Sequence, residues 1–293
     1  MLAPLDKDRA TNRDLQLRLT KLNSWRLTPT LPHQGWAATC WAMASLSILE
    51  GGFLEEGRLR VAARAAAAPT EPDAFVGWFE NLREVGPGQN DPLFPWLASD
   101  CTIEQMKWFL TQEVAGEAGF EDLTALTQLK FPTKPKLELA RNYWDEMGRG
   151  NAKGMHGPLL QNLAQSLDLK PTVDGTVTEA LALANTMAGL AANRRYAYQS
   201  VGALGVIELT APERSAYTAE GLRRLRVSNK HRLYFSLHAV LDVKHSAAWN
   251  AEAIKPLVSL DPRNATAIAE GALMRLECGA ECFRRYRHEF GLN

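Results

Sequence analysis

Apolar residues recur along this chain at three- and four-residue intervals, the spacing of helix faces. Convincing apolar–polar alternation of the kind that builds half-buried strands is nearly absent. The pattern predicts helices over Trp36 to Leu54, over the Ala- and Arg-rich stretch Arg58 to Ala68, and from Pro72 to a stop near Gly86 to Gly88. The Gly/Pro/Asn/Asp cluster there, with Asp91-Pro92 behind it, marks a loop. A long helix is expected from Thr102 to about Leu129, with Thr102 and Gln105 forming the reciprocal box that satisfies the free N–H groups of a first turn. Pro132 and Pro135 end it, and a helix restarts near Lys136 to make an antiparallel pair with a short turn. Gly148, Gly150 and Gly154 interrupt that second helix before it resumes at about Pro158. Further helices are expected over about Val177 to Gly205, Glu213 to Leu225, His231 to Leu257 and Asp261 to Phe290. With no internal repeat or low-complexity linker, one all-α domain accounts for the pattern.

Composition adds limits rather than new elements. At 293 residues and 46% hydrophobic, the chain can bury a sizeable core. Lys plus Arg (33) equals Asp plus Glu (33), a balance that argues against a nucleic-acid binder. Of the four cysteines, Cys40, Cys101, Cys278 and Cys282, only the last two are close. Their three-residue gap suits helix packing better than a redox dithiol or a zinc knuckle. Met1 to Lys21 is charged and lacks the apolar stretch of a signal peptide, and no run approaches the roughly 18 apolar residues of a membrane span. The expectation is a reduced, cytoplasmic protein that binds neither nucleic acid nor membrane.

The chemistry concentrates on one helix. Only six histidines are present, and two bracket an aspartate within eight residues: His238, Asp242 and His245. At about 100° per residue, Asp242 lies about 40° to one side of His238 and His245 about 20° to the other, a wedge of about 60°. Tyr234, Phe235, Leu241 and Trp249 flank the wedge while Arg232 and Lys244 point away, so it is expected to face the interior. Burying a carboxylate without a partner costs several kcal/mol. A metal ion is the simplest compensation, because imidazole and carboxylate together suit iron, and such sets in helical bundles hold di-iron centres. The alternative is a buried His–Asp hydrogen-bond network with no metal.

One helix cannot supply two ions. The second candidate cluster is Asn142-Tyr143-Trp144-Asp145-Glu146-Met147-Gly148, followed by His156. Glu146 and His156 would stand about 80° apart on an ideal helix. The glycines between them, each destabilising a helix by up to about 1 kcal/mol, indicate a loosened backbone that lets His156 swing in. The plainer reading of Asp145 and Glu146 is an exposed acidic turn. On the preceding helix Glu113, Glu117 and Glu121 recur every four residues. Counting back from the proline turn puts Glu117 level with Glu146 and makes it the preferred ligand. Glu113 and Glu121 are its rivals one turn either way, and each can equally face water. Glu208 is the only acid between Val201 and Ala211, with a structural ion pair as its other reading. Glu117, Glu146, Glu208 and Asp242 carry four negative charges, which two Fe(II) ions and three neutral imidazoles would balance.

The order Glu, Glu-x9-His, Glu, His-x3-Asp-x2-His resembles the haem-oxygenase-like di-iron oxidases, an iron-containing redox enzyme family. Asn142 to Gly148 and Leu237-His-Ala-Val-Leu-Asp-Val-Lys-His-Ser246 read much like members, and the likeness spans roughly Asp100 to Leu257. The resemblance implies a seven-helix haem-oxygenase-like bundle. Residues 1 to about 95 would be extra helices packed on a core of about 96–260, and 261–293 a C-terminal helix. It also implies two iron ions held by Glu117, Glu146, His156, Glu208, His238, Asp242 and His245, with dioxygen as co-substrate. Such enzymes act through a peroxo-level di-iron intermediate on small amino-acid-derived, amine or carboxylate substrates, by N-oxygenation or oxidative cleavage. The expected split places Glu117, Glu146 and His156 on one iron and Glu208, His238, Asp242 and His245 on the other.

Three other readings stand beside this one. A metal-free helical enzyme of the thiaminase or quinone-cofactor-forming type would not need so many inward acids. A non-enzymatic iron store of the ferritin kind should carry a shell-forming pattern, and none is visible. A structural or partner-binding helical protein would leave the acids exposed. Tyr143, Trp144, Tyr234 and Phe235 stand near the candidate ligands and could line a pocket, with core packing the plainer role. Arg194, Arg195, Arg214, Arg223 and Arg224 could each hold a substrate carboxylate, and nothing in the sequence selects one. A homodimer is a common arrangement for such bundles.

Overall fold

Several helices run on through stretches where the apolar period lapses. The computed structural model describes residues 12–116 and 119–292. In chain order the helices are α1 (Arg13–Leu27), α2 (Trp36–Ala66), α3 (Pro72–Val85), α4 (Leu93–Ser99), α5 (Ile103–Gly116), α6 (Phe120–Thr127) and α7 (Thr133–Glu146). They continue with α8 (His156–Ser166), α9 (Thr178–Ala192), α10 (Ala197–Arg224), α11 (Leu233–Ala248), α12 (Lys255–Leu260) and α13 (Arg263–Phe290). No strand occurs among the described residues, in line with the all-α expectation.

The two helices expected over Trp36 to Leu54 and Arg58 to Ala68 are one, α2, because Glu55, Glu56 and Gly57 continue the turn. By length and composition α2 is also apolar enough to cross a membrane, against the expectation that no run would be. Its apolar residues are interspersed with Gly, Ser and Thr, so its apolar character shows as an average and not as an unbroken run. The first half of α2 is exposed, with Trp36 at 65% and Trp41 at 77%, while its buried residues run from Leu46 to Ala65.

The helix expected from Thr102 to Leu129 is two, α5 and α6, with Gly119 at φ +74° before α6, a conformation that favours glycine. The capping box forms: Gln105 N donates to Thr102 Oγ1 at 3.2 Å, and Thr102 N donates to Gln105 Oε1 at 2.8 Å. The span Val177 to Gly205 is broken at Asn193, whose side chain accepts from Arg195 N and starts a tight 3-10 turn, Arg194–Tyr196. From there α10 continues through Pro212, joining segments expected to be separate. Pro212 has no N–H for the carbonyl four residues back, that of Glu208. After α11 the chain widens into a π-helical turn, Trp249–Ile254, before α12.

Helix α10 is central, packing on α13, α11, α4, α9 and α3. Its crossing with α13 is backbone against backbone: a Cβ on Gly202 would land on the Ile268 carbonyl, and one on Gly271 on the Gln199 carbonyl. One apolar cluster gathers around Trp249, Val201, Leu204 and Ile268, and a second around Phe94, Phe109, Phe283 and Tyr286.

Candidate metal centre

Glu146 ends α7 and His156 begins α8. Between them lie two 3-10 turns, Gly148–Gly150 and Ala152–Gly154, with φ of +61° at Gly148 and +84° at Gly150. A Cβ on Gly148 would stand 2.6 Å from the Gly154 carbonyl carbon, so the loop folds tightly onto itself. That fold returns His156 Nδ1 to 2.9 Å from Glu146 Oε2. The loosened backbone expected from the three glycines is present, and it joins two residues an ideal helix would keep apart.

Glu208 comes from the middle of α10, and His238, Asp242 and His245 come from α11. All six of these side chains are buried. Their donor atoms form two groups that share Glu146: Glu146 with His156 and His238, and Glu146 with Asp242 and His245. Within each group the donors lie within 4.8 Å of one another. Glu146 Oε2 faces the first group, 3.6 Å from His238 Nε2, and Oε1 faces the second, 3.5 Å from His245 Nδ1. Glu208 Oε2 joins the second at 3.4 Å from His245 Nδ1. His238 therefore sides with His156, not with Asp242 and His245 as expected. Seven residues of α11, about 10 Å of helix, separate the two histidines.

Neighbours hold these side chains in place. His238 Nδ1 donates to the Tyr234 carbonyl at 2.6 Å, which turns Nε2 toward the group. Asn142 Nδ2 donates to Glu208 Oε1 at 2.6 Å. Asp145 Oδ2 lies 3.3 Å from His245 Nε2 and is itself held by Arg141 and Arg149. A carboxylate behind a histidine fixes the ring for a metal on its other nitrogen. The sequence reading gave Asn142 and Asp145 no such role. Asn142 precedes Glu146 by four residues, and that shared helix face was the available signal.

Burial and neighbouring charges pull the members of the cluster in opposite directions. Burial would raise the Glu146 carboxyl, but hydrogen bonds from His156 and His238 outweigh it and hold it well below the usual range. Asp242 goes the other way: burial, then the charges of Glu208 and Glu146, push it well above its ordinary value. For His245, burial lowers the pKa, and the nearby Glu208 and Glu146 more than reverse that. Asp242 Oδ1 and His245 Nδ1 are buried without a hydrogen-bond partner, although Glu208 lies close to the ring nitrogen. Two orphaned donors facing each other at 4.0 Å across acids are what a cation would satisfy, and the His/carboxylate set fits iron.

A model of iron-containing redox enzymes matches residues 107–280, more than half of the chain and all six of these donors. The protein belongs to that family. No curated protein sequence matches this redox enzyme. Among solved structures, a CADD-like protein of unknown function from Nostoc punctiforme PCC 73102 is similar, at 17% identity and a TM-score of 0.58. The match covers 75% of this chain and 99% of that one, and at such identity it supports the haem-oxygenase-like fold alone.

One cavity of about 170 Å³ lies beside the donor groups of this iron-containing redox enzyme. Glu146, His156, Glu208, His238 and Asp242 line one end of it, and Tyr234 and Phe235 are in its wall. Tyr143 and Trp144 are not, and Trp144 is exposed against Gly150. The Tyr234 hydroxyl lies 3.0 Å from His156 Nε2. Glu117, the preferred first-helix ligand, lies outside the described residues. Glu113 accepts from the Tyr286 hydroxyl at 3.1 Å, lines the same cavity and belongs to neither donor group. Glu121 Oε1 sits beside Gly157, the residue after His156. The structure thus brings together Glu146, His156, Glu208, His238, Asp242 and His245, and sets Glu113 apart from them.

Proposed function

We propose that this redox enzyme is a non-haem di-iron oxidase that activates dioxygen against a small organic substrate held in the cavity. One observation carries the reading: two donor groups share Glu146, and Asp242 Oδ1 and His245 Nδ1 between them have no hydrogen-bond partner. Iron bound there would supply electrons to dioxygen and stabilise the reduced oxygen that results. Glu146, with one oxygen toward each group, would bridge two ions. His156 and His238 would hold one of them, and Asp242, His245 and Glu208 the other. Asn142 and Asp145 keep Glu208 and His245 aimed inward. The Tyr234 hydroxyl, on the cavity side of His156, is placed to donate or accept a proton near the reacting end. The apolar walls, including Leu183, Met187 and Ile207, keep water from the reaction.

The test is anaerobic reconstitution of chelated protein with Fe(II), followed by dioxygen uptake. Two irons per chain and dioxygen consumption would support the reading. Iron at background levels would return the cluster to a polar core network and favour a metal-free enzyme.

A further inference from the structure

The cavity beside the donor groups also carries basic side chains in its wall. Arg214 on α10 and Arg275 on α13 both line it. The other arginines that the sequence offered are already engaged. Arg194 donates to the carbonyls of Leu126, Thr127 and Leu129, and Arg224 to those of Ala98 and Cys101. Arg195 and Arg223 pair with Glu55 and Glu220. Neither Arg214 nor Arg275 forms an ion pair among the described residues. Arg275 keeps Nε and Nη1 buried without hydrogen-bond partners. Arg214 donates to Thr210 Oγ1 at 2.6 Å and lies 5.9 Å and 5.4 Å from the ring centroids of Phe94 and Phe283. Burial and the charge of Arg275 both disfavour the Arg214 cation, so an anion between them would relieve each. Glu113 is the acid on that part of the wall, and Glu213, also near Arg214, is exposed. Among the described residues lining this part of the cavity, two guanidiniums against one carboxylate leave a single positive charge, which suits a monoanion better than a phosphate.

We propose that the substrate carries a carboxylate held between Arg214 and Arg275, with a short apolar body reaching back toward Glu208 and His238. The identity of the reacting end rests on the di-iron reading; the anchor does not. Six residues of α10 separate Glu208 from Arg214, about 9 Å along the helix. The carboxylate is therefore a handle, and oxidation falls several bonds from it. A guanidinium fork binds a carboxylate through two parallel N–H bonds, which fixes direction as well as charge.

The experiment titrates iron-loaded, anaerobic full-length protein with linear monocarboxylates from propionate to octanoate and with benzoate, each against its amide, by calorimetry. At least one acid should bind about tenfold or more tightly than its amide, equivalent to about 1.4 kcal/mol. Arg275→Met should abolish that preference with iron content unchanged, and Arg275→Lys should restore part of it. Arg214→Met provides the same readout should Arg275→Met not fold. Amides binding as well as acids throughout the series would overturn the proposal, as would an acid preference that survives both Met variants. Repeating the titration on chelated protein separates the two claims. The anchor should still prefer the acid there, while failure to load iron would count against the di-iron reading alone.

Discussion

Asp242→Asn separates a metal site from a polar core network. Asp242 is 3% exposed, its Oδ1 has no hydrogen-bond partner, and the charges of Glu208 and Glu146 face it. Leaving a buried polar atom unsatisfied costs about 1–3 kcal/mol, more if it is charged. Asn keeps the shape, removes the charge and offers an N–H₂ to the neighbouring acids. In chelated protein the substitution should therefore stabilise the fold by about 1–3 kcal/mol. At roughly 2 °C per kcal/mol for a chain of this size, the melting temperature should rise by about 2–6 °C. The sign of the pH dependence follows from the raised folded-state pKa. The carboxyl's penalty is absent below its unfolded value and grows as pH rises toward the folded one. The gain should accordingly be larger near about pH 8 than near about pH 5. Adding Fe(II) should reverse the ranking, raising the melting temperature of the wild type and leaving the variant where it was. Differential scanning calorimetry with and without iron reads both effects. A variant less stable than the wild type when chelated would mean that Asp242 has a structural partner, and the physical case for a metal would fall.

Other consequences are quicker to check. Gly271→Ala forces the α10–α13 crossing apart and should cost about 1–3 kcal/mol or more in urea unfolding. Gly51→Ala, in α2 with nothing within 4 Å of the added Cβ, should instead gain up to about 1 kcal/mol. Asn142→Ala frees Glu208 and Asp145→Asn frees His245, and each should weaken iron about 10- to 100-fold in competition with a chromogenic chelator, without unfolding the protein. Thr102→Ala removes one half of the capping box and should cost about 0.5–2 kcal/mol, measured by thermal melts.

The wedge of candidate donors was legible because it lies within one helix, where periodicity reports which residues share a face. His238, Asp242 and His245 needed only the 100° rule. The Glu146–His156 pair needed one more step, since three glycines in seven residues announced a backbone that departs from the helix. What periodicity does not report is rise along the axis, and the structure groups His238 with His156 rather than with His245, about 10 Å further along the helix. Contacts between distant segments were hidden for the same reason. Arg214 stands among five arginines that look alike in sequence, and Arg275 was not singled out at all. Only the meeting of α10 and α13 puts both into one cavity. The breaks at Gly119 and Asn193 leave little trace in the sequence, because single turn residues inside long apolar patterns carry little signal. The joining of α2 across Glu55 to Gly57 was missed because charged pairs and a glycine look like a loop until α13 packs against them.

Iron stoichiometry tests the central claim most directly. Full-length protein, stripped of metal and reconstituted anaerobically with Fe(II), should retain close to two irons per chain after desalting. It should then develop a transient visible absorption band when dioxygen is admitted, and Asp242→Ala should show neither. A wild-type protein that retains no iron above background, or as much as its Asp242→Ala variant, would contradict the account.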